Sequence, residues 1–134
     1  MDDKDNVTSK VIEGTFSTGE QTDLINKIKK LESGKYRLQV KALDNKNNEV
    51  DETKDFILYS YNDKNPPVQT EAWFVEKNTI FSENKPAEVI YGSSENNTYV
   101  LYQIFNNENI FERKLIKLSN ENQTFSIPYK KEYG

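Results

Sequence analysis

Asp44-Asn45-Lys46-Asn47-Asn48-Glu49 bears a faint likeness to a Ca²⁺-binding loop, in which oxygen-bearing side chains alternate around a hard cation. Asp44, Asn48 and Glu49 would be its ligands. Lys46, however, stands at the third position, where Asp or Asn should ligate, and the glycine that bends such a loop is missing. A plain hairpin turn is expected instead. Asp51, Glu52 and Asp55 follow as an acidic cluster at the start of a strand, and solvation is the expected role there too.

Glycoside hydrolysis needs two carboxyl groups about 5–10 Å apart in space, a separation that sequence does not exclude. Yet no Asp follows Asp63, His is absent, and the Glu residues fall at loop-like positions, so no enzyme is expected. With no Cys, the chain has no thiolate nucleophile, disulfide or Cys-based metal site. No catalytic, cofactor-binding or metal-binding residue is assigned. Trp73 with Phe74, or Tyr99 with Tyr102, could stack a sugar or a peptide. Trp73 is better placed to anchor a core, since it opens an alternating strand. Asn6, Asn96 and Asn122 match the glycosylation acceptor pattern, read here as chance in an Asn-rich chain.

These residues would be carried mainly on strands. In "GKYRLQVKA", Tyr36, Leu38, Val40 and Ala42 alternate with Arg37, Gln39 and Lys41, the period of a half-buried strand. Asn and Asp then supply a tight connection with positive φ, and "TKDFILYS" returns with Phe56 and Leu58 on one face. Tyr36, Leu38, Val40, Phe56 and Leu58 are expected to be buried together. Upstream, "KVIEGTFST" reads as a strand. Residues 22–31 suit either an irregular strand or a single helical turn, which Thr22 or Asp23 could cap. Downstream, "AWFVEKNTIF", "PAEVIYGS", "TYVLYQIF", "IFERKLIKLS" and "TFSIPYK" recur without an intervening helix, as in an antiparallel sandwich. "YVLYQIF" is partly apolar on both faces and reads as a central strand.

Between the two groups, Pro66 and Pro67 lack N–H donors, so sheet pairing must stop there. Two β modules are preferred over one continuous sandwich, each near the lower size limit for an independent core. The expected division is 1–61, a linker at 62–67, and 68–134. Hydrophobic residues make up 34% of the chain and aromatics 12%, a profile of short strands and polar loops, too aromatic for disorder. The net charge is −4, and the stretches to either side of residue 65 each carry about −2, so nothing attracts nucleic acid or anionic lipid. Residues 1–10 have neither the basic nor the apolar region of a signal peptide, and the longest apolar run cannot span a bilayer. A soluble chain is expected.

"SGKYRLQVKALDNKNNEVDETKDFILYS" resembles the closing hairpin of a macroglobulin-type domain: Gly-x-Tyr-Arg-Leu, then Asp-x-x-Gly, then Phe-x-Leu. "PPVQTEAWFVEKNTIFSENKPAEVIYGSS" with "YVLYQIF" and "ERKLIKLSNENQTFSIPYKKEYG" looks like the start of the next domain. The order is similar to that of large bacterial alpha-2-macroglobulin-like proteins of the Bacteroidetes type, where this second domain is similar to the one carrying the bait segment. Two departures stand out. Asn47-Asn48 replaces the turn's Gly, though Asn tolerates that backbone, and the family's thioester needs a Cys that this chain lacks.

The resemblance implies tandem immunoglobulin-like or macroglobulin-like β-sandwich modules, all-β and antiparallel, forming a piece of a protease-trapping endopeptidase inhibitor. The ending just after a strand fits a piece of a longer chain. Its partners would be neighbouring domains of the parent and, through the whole parent, proteases. The parent would be exported, to the periplasm or to the outer surface, where a lipid anchor could hold it. No cofactor is implied. The main alternative is an immunoglobulin-like adhesion or carbohydrate-binding module, which an exposed aromatic row would favour; an accessory domain of a secreted enzyme is a third.

Overall fold

The computed structural model describes residues 9–17, 19 and 23–133. Among the described residues the chain is all-β apart from single helical turns, and every strand pairing there is antiparallel. It divides into two units, Met1–Leu58 and Tyr59–Gly134.

In the first unit, residues 9–17 form no strand, contrary to the expectation for "KVIEGTFST". A strand needs a neighbour to take its backbone hydrogen bonds. None pairs with this segment among the described residues, and Val11 and Phe16 stay exposed. Of the two possibilities for residues 22–31, the helical turn forms: α1, Leu24–Ile28. Asp23 makes no side-chain capping bond, and Thr22 lies outside the described residues. Gly34 then opens β1 (Gly34–Leu43), which pairs along its length with β2 (Glu49–Leu58).

The hairpin's period is the expected one. Tyr36 lies opposite Phe56, their rings stacked at 5.8 Å, and the Tyr36 hydroxyl donates to the Glu32 carbonyl at 2.7 Å. Gln39 and Lys41 face water. The expected burial is only partly realised: Tyr36, Leu38, Val40, Phe56 and Leu58 are half-buried. A two-stranded sheet beside one helical turn has too little to cover its apolar face. Arg37 is also half-buried, because it folds onto Asp55 opposite.

The second unit holds five strands: β3 (Trp73–Asn78), β4 (Ala87–Ser93), β5 (Thr98–Phe105), β6 (Ile110–Leu118) and β7 (Glu121–Ile127). Its sheets are β3–β4–β7 and β5–β6. β4, with Ile90 at 3% exposure, is thus the central strand, and "YVLYQIF" is not: β5 pairs with β6 alone among the described residues. The two sheets face each other, as Tyr102 of β5 stacks on Phe125 of β7 at 5.2 Å. Leu118, 1% exposed, lies on the same inner face of β5–β6 as Tyr102.

The other face of β3–β4–β7 carries Trp73 and Asn122 on either side of Gly92, with Val75 and Ile90 in the next row. Residues 59–65 form a strap over it. Tyr59 meets Trp73 edge-on at 5.4 Å, and the Lys77 ammonium sits 5.9 Å from the Tyr61 ring. Of the residues expected to form the linker, Asp63, Lys64 and Asn65 are hydrogen-bonded to β7.

Candidate functional site

The Asp44 loop is a self-satisfied turn. One carboxylate oxygen of Asp44 accepts the backbone N–H groups of Lys46 and Asn48, each at 2.8 Å, and the other accepts the Asn48 side chain at 2.9 Å. Those bonds, the Asn48 side chain foremost, hold the Asp44 carboxyl below its usual 3.8. Asn47 takes φ 62°, the left-handed conformation the connection requires. Glu49 points to Lys41 at 3.8 Å rather than into the turn.

The acidic cluster is divided between strand faces. Asp55 accepts from the Arg37 guanidinium at 2.7 and 3.1 Å, and Asp51 from Gln39 at 3.3 Å, while Glu52 lies on the opposite face. The Arg37 hydrogen bond lowers the Asp55 pKa. No three acidic groups converge among the described residues.

The aromatic pairs are likewise not brought together. Trp73 and Phe74 point to opposite faces of β3, as do Tyr99 and Tyr102 on β5. Trp73 packs under Tyr59, whereas Phe74 is 57% exposed. Tyr102 is inward, and burial, followed by the nearby Glu112, pushes its phenol pKa up. Asn96 is exposed and accepts from Ser119, and Asn6 lies outside the described residues.

Asn122 does what its acceptor-pattern match gave no hint of. Its backbone N–H donates to the Lys64 carbonyl at 2.8 Å, and its side-chain NH₂ donates to the carbonyls of Asp63 at 3.2 Å and Asn65 at 2.8 Å. Asn65 returns a bond to the Asn120 carbonyl. With its NH₂ turned to two carbonyls, the amide must lay its oxygen over Gly92, where it is buried without a donor among the described residues. Serines extend the network. Ser94 exchanges backbone and side-chain bonds with Thr70 and donates to the Val68 carbonyl, while the fully buried Ser93 meets Thr98 at 3.2 Å. A glycine inside the "PAEVIYGS" strand was the available signal, since such a glycine often marks a close approach of other atoms.

One surface is left over. On the outer face of β5–β6, Leu101 lies opposite Leu115 and Phe105 opposite Ile110, with Tyr99 opposite Lys117 and Gln103 opposite Arg113. Tyr99, Leu101, Phe105, Ile110 and Leu115 are 55–69% exposed. Lys117 lies 5.8 Å from the Tyr99 ring. No protein-family model, curated protein or solved structure matches this chain. No helix among the described residues is long and apolar enough to cross a membrane.

Proposed function

We propose that this chain is a non-catalytic scaffold piece of an alpha-2-macroglobulin-like protease-trapping protein, exported in its parent form. The observation that carries the reading is how the charged side chains are used. Asp44 closes a turn, Asp55 holds Arg37, and Glu88 and Glu112 face Lys77 and Lys114 across or along strands. The resemblance of the Gly34–Leu58 hairpin and the segment after Pro66-Pro67 to that family supplies the rest. In such a parent the piece would hold neighbouring domains in position, and only the whole protein would engage proteases.

The test is direct. Purified chain is incubated with several endopeptidases and a large protein substrate, with and without EDTA. No stoichiometric loss of protease activity and no EDTA-dependent change in melting temperature are expected. Stoichiometric inhibition by the chain alone would overturn the scaffold reading.

The exposure of Tyr99 and Phe105, 63% and 67%, favours the second reading, an adhesion or carbohydrate-binding module. They stand six positions apart along the strand, roughly 20 Å at about 3.4 Å per residue, with Leu101 and Gln103 between them on the same face. That spacing offers a sugar no continuous stacking platform. A glycan array that bound the chain with millimolar or better affinity would establish it.

A further inference from the structure

The outer face of β5–β6 combines three properties that together specify an occupant. It is ordered: its five exposed apolar side chains follow the cross-strand register in two groups, Tyr99, Leu101 and Leu115, then Phe105 and Ile110, parted by the Gln103–Arg113 pair. Exposed apolar residues scattered singly are ordinary, whereas their grouping on one sheet face is a feature of contact surfaces. Its charges have one sign. Arg113 and Lys117 lie on it, no carboxylate belongs to it, and neither cation forms an ion pair among the described residues, in a chain whose net charge is −4. It is also bordered by free backbone, because β5 and β6 pair only with each other among the described residues.

We propose that this face docks an extended polypeptide segment of a partner protein in which apolar and acidic residues alternate. The apolar positions would cover Leu101, Leu115 and Phe105, and the acidic ones would neutralise Arg113 and Lys117. An extended segment repeats every two residues, which matches the ladder it would lie against. A second copy fits poorly, since a two-fold contact would set the cations of both faces against each other. An anionic membrane fits poorly because the protein as a whole carries negative charge. The proposal rests on this face alone and not on the protease-trap reading.

The test uses the full chain labelled with ¹⁵N. The probes are a short capped peptide alternating leucine and glutamate and its leucine–lysine counterpart. The glutamate peptide is expected to shift the amides of Leu101, Phe105, Arg113, Leu115 and Lys117, and the lysine peptide to shift none. Added salt should weaken binding, and Arg113→Glu with Lys117→Glu should weaken it roughly tenfold. Leu115→Ser, at a 69% exposed position that should not disturb folding, should do the same. Absence of shifts at millimolar peptide, or equal response to both peptides, would overturn the proposal. Self-association that Leu115→Ser abolishes would assign the face to a second copy, and co-sedimentation with phosphatidylserine vesicles would assign it to lipid; either overturns it.

Discussion

Asn122 on β7 lies directly opposite Gly92 on β4, and its side-chain oxygen fills the space a Cβ at residue 92 would occupy. The absent side chain on one strand is what lets the amide on the next reach the strap. Gly92→Ala would drive a methyl into that oxygen and within 3.0 Å of the Glu121 carbonyl. It should destabilise the second unit by about 1–3 kcal/mol, read from urea unfolding. In an Asn122→Ala background the same substitution should cost clearly less, because the atom it displaces is gone. Equal costs in both backgrounds would show that the strand, not the amide, resists the methyl.

Asn122→Ala by itself strips donors from the Asp63 and Asn65 carbonyls. A loss of about 1–3 kcal/mol is expected. The Asn122 backbone N–H would keep its bond to the Lys64 carbonyl, but the carbonyls on either side of Lys64 would lose theirs, so trypsin should cleave after Lys64 sooner in the variant than in the parent chain. Unchanged cleavage kinetics would mean that the strap is held by its aromatic contacts and not by the amide.

Burial separates two leucines of the same strand. Leu118 is 1% exposed and Leu115 69%. Leu118→Ala should cost roughly 2–5 kcal/mol, and Leu115→Ala should fall within about 0.5 kcal/mol. Thermal melts of the pair check the inner and outer assignment of β6, since a one-residue register slip would exchange the results.

Acid should weaken the β1–β2 hairpin through two carboxylates. Asp44 and Asp55 both titrate below the unperturbed 3.8, chiefly through hydrogen bonds from Asn48 and Arg37 respectively. A depressed folded-state pKa contributes stability that is present above the unfolded value and lost as pH falls through the folded one. The hairpin's amide protection should therefore hold at neutral pH and decline once pH drops below 3.8. Asp55→Asn should reduce that decline; an unchanged profile would remove Asp55 from the account.

The β1–β2 hairpin was legible because its signals agree: strict alternation from Tyr36 to Ala42, and Asn47 where φ had to be positive. The five later strands were legible in type and order for the same reason. What failed was whatever depended on neighbours. "KVIEGTFST" has the composition of a strand but nothing described to pair with. "YVLYQIF" has the two-sided apolar character of a central strand, yet sits in a pair. Tyr99 and Tyr102 looked like one platform, but a separation of three residues along a strand places them on opposite faces. Asn122 hid in an acceptor pattern, since sequence spacing does not reveal a bond to a carbonyl far away along the chain.

That separation has a kinetic consequence. The bond from Asn122 to Asn65 spans 57 residues, whereas β3–β4 and β5–β6 close through short loops. Long loops cost more entropy to close and are rewarded only once their ends have met. The hairpins should therefore form first, and the strap should settle last onto a sheet already assembled. Reversed, the same order makes its release the opening event of unfolding, so Asn122→Ala should speed unfolding and leave the folding rate nearly unchanged.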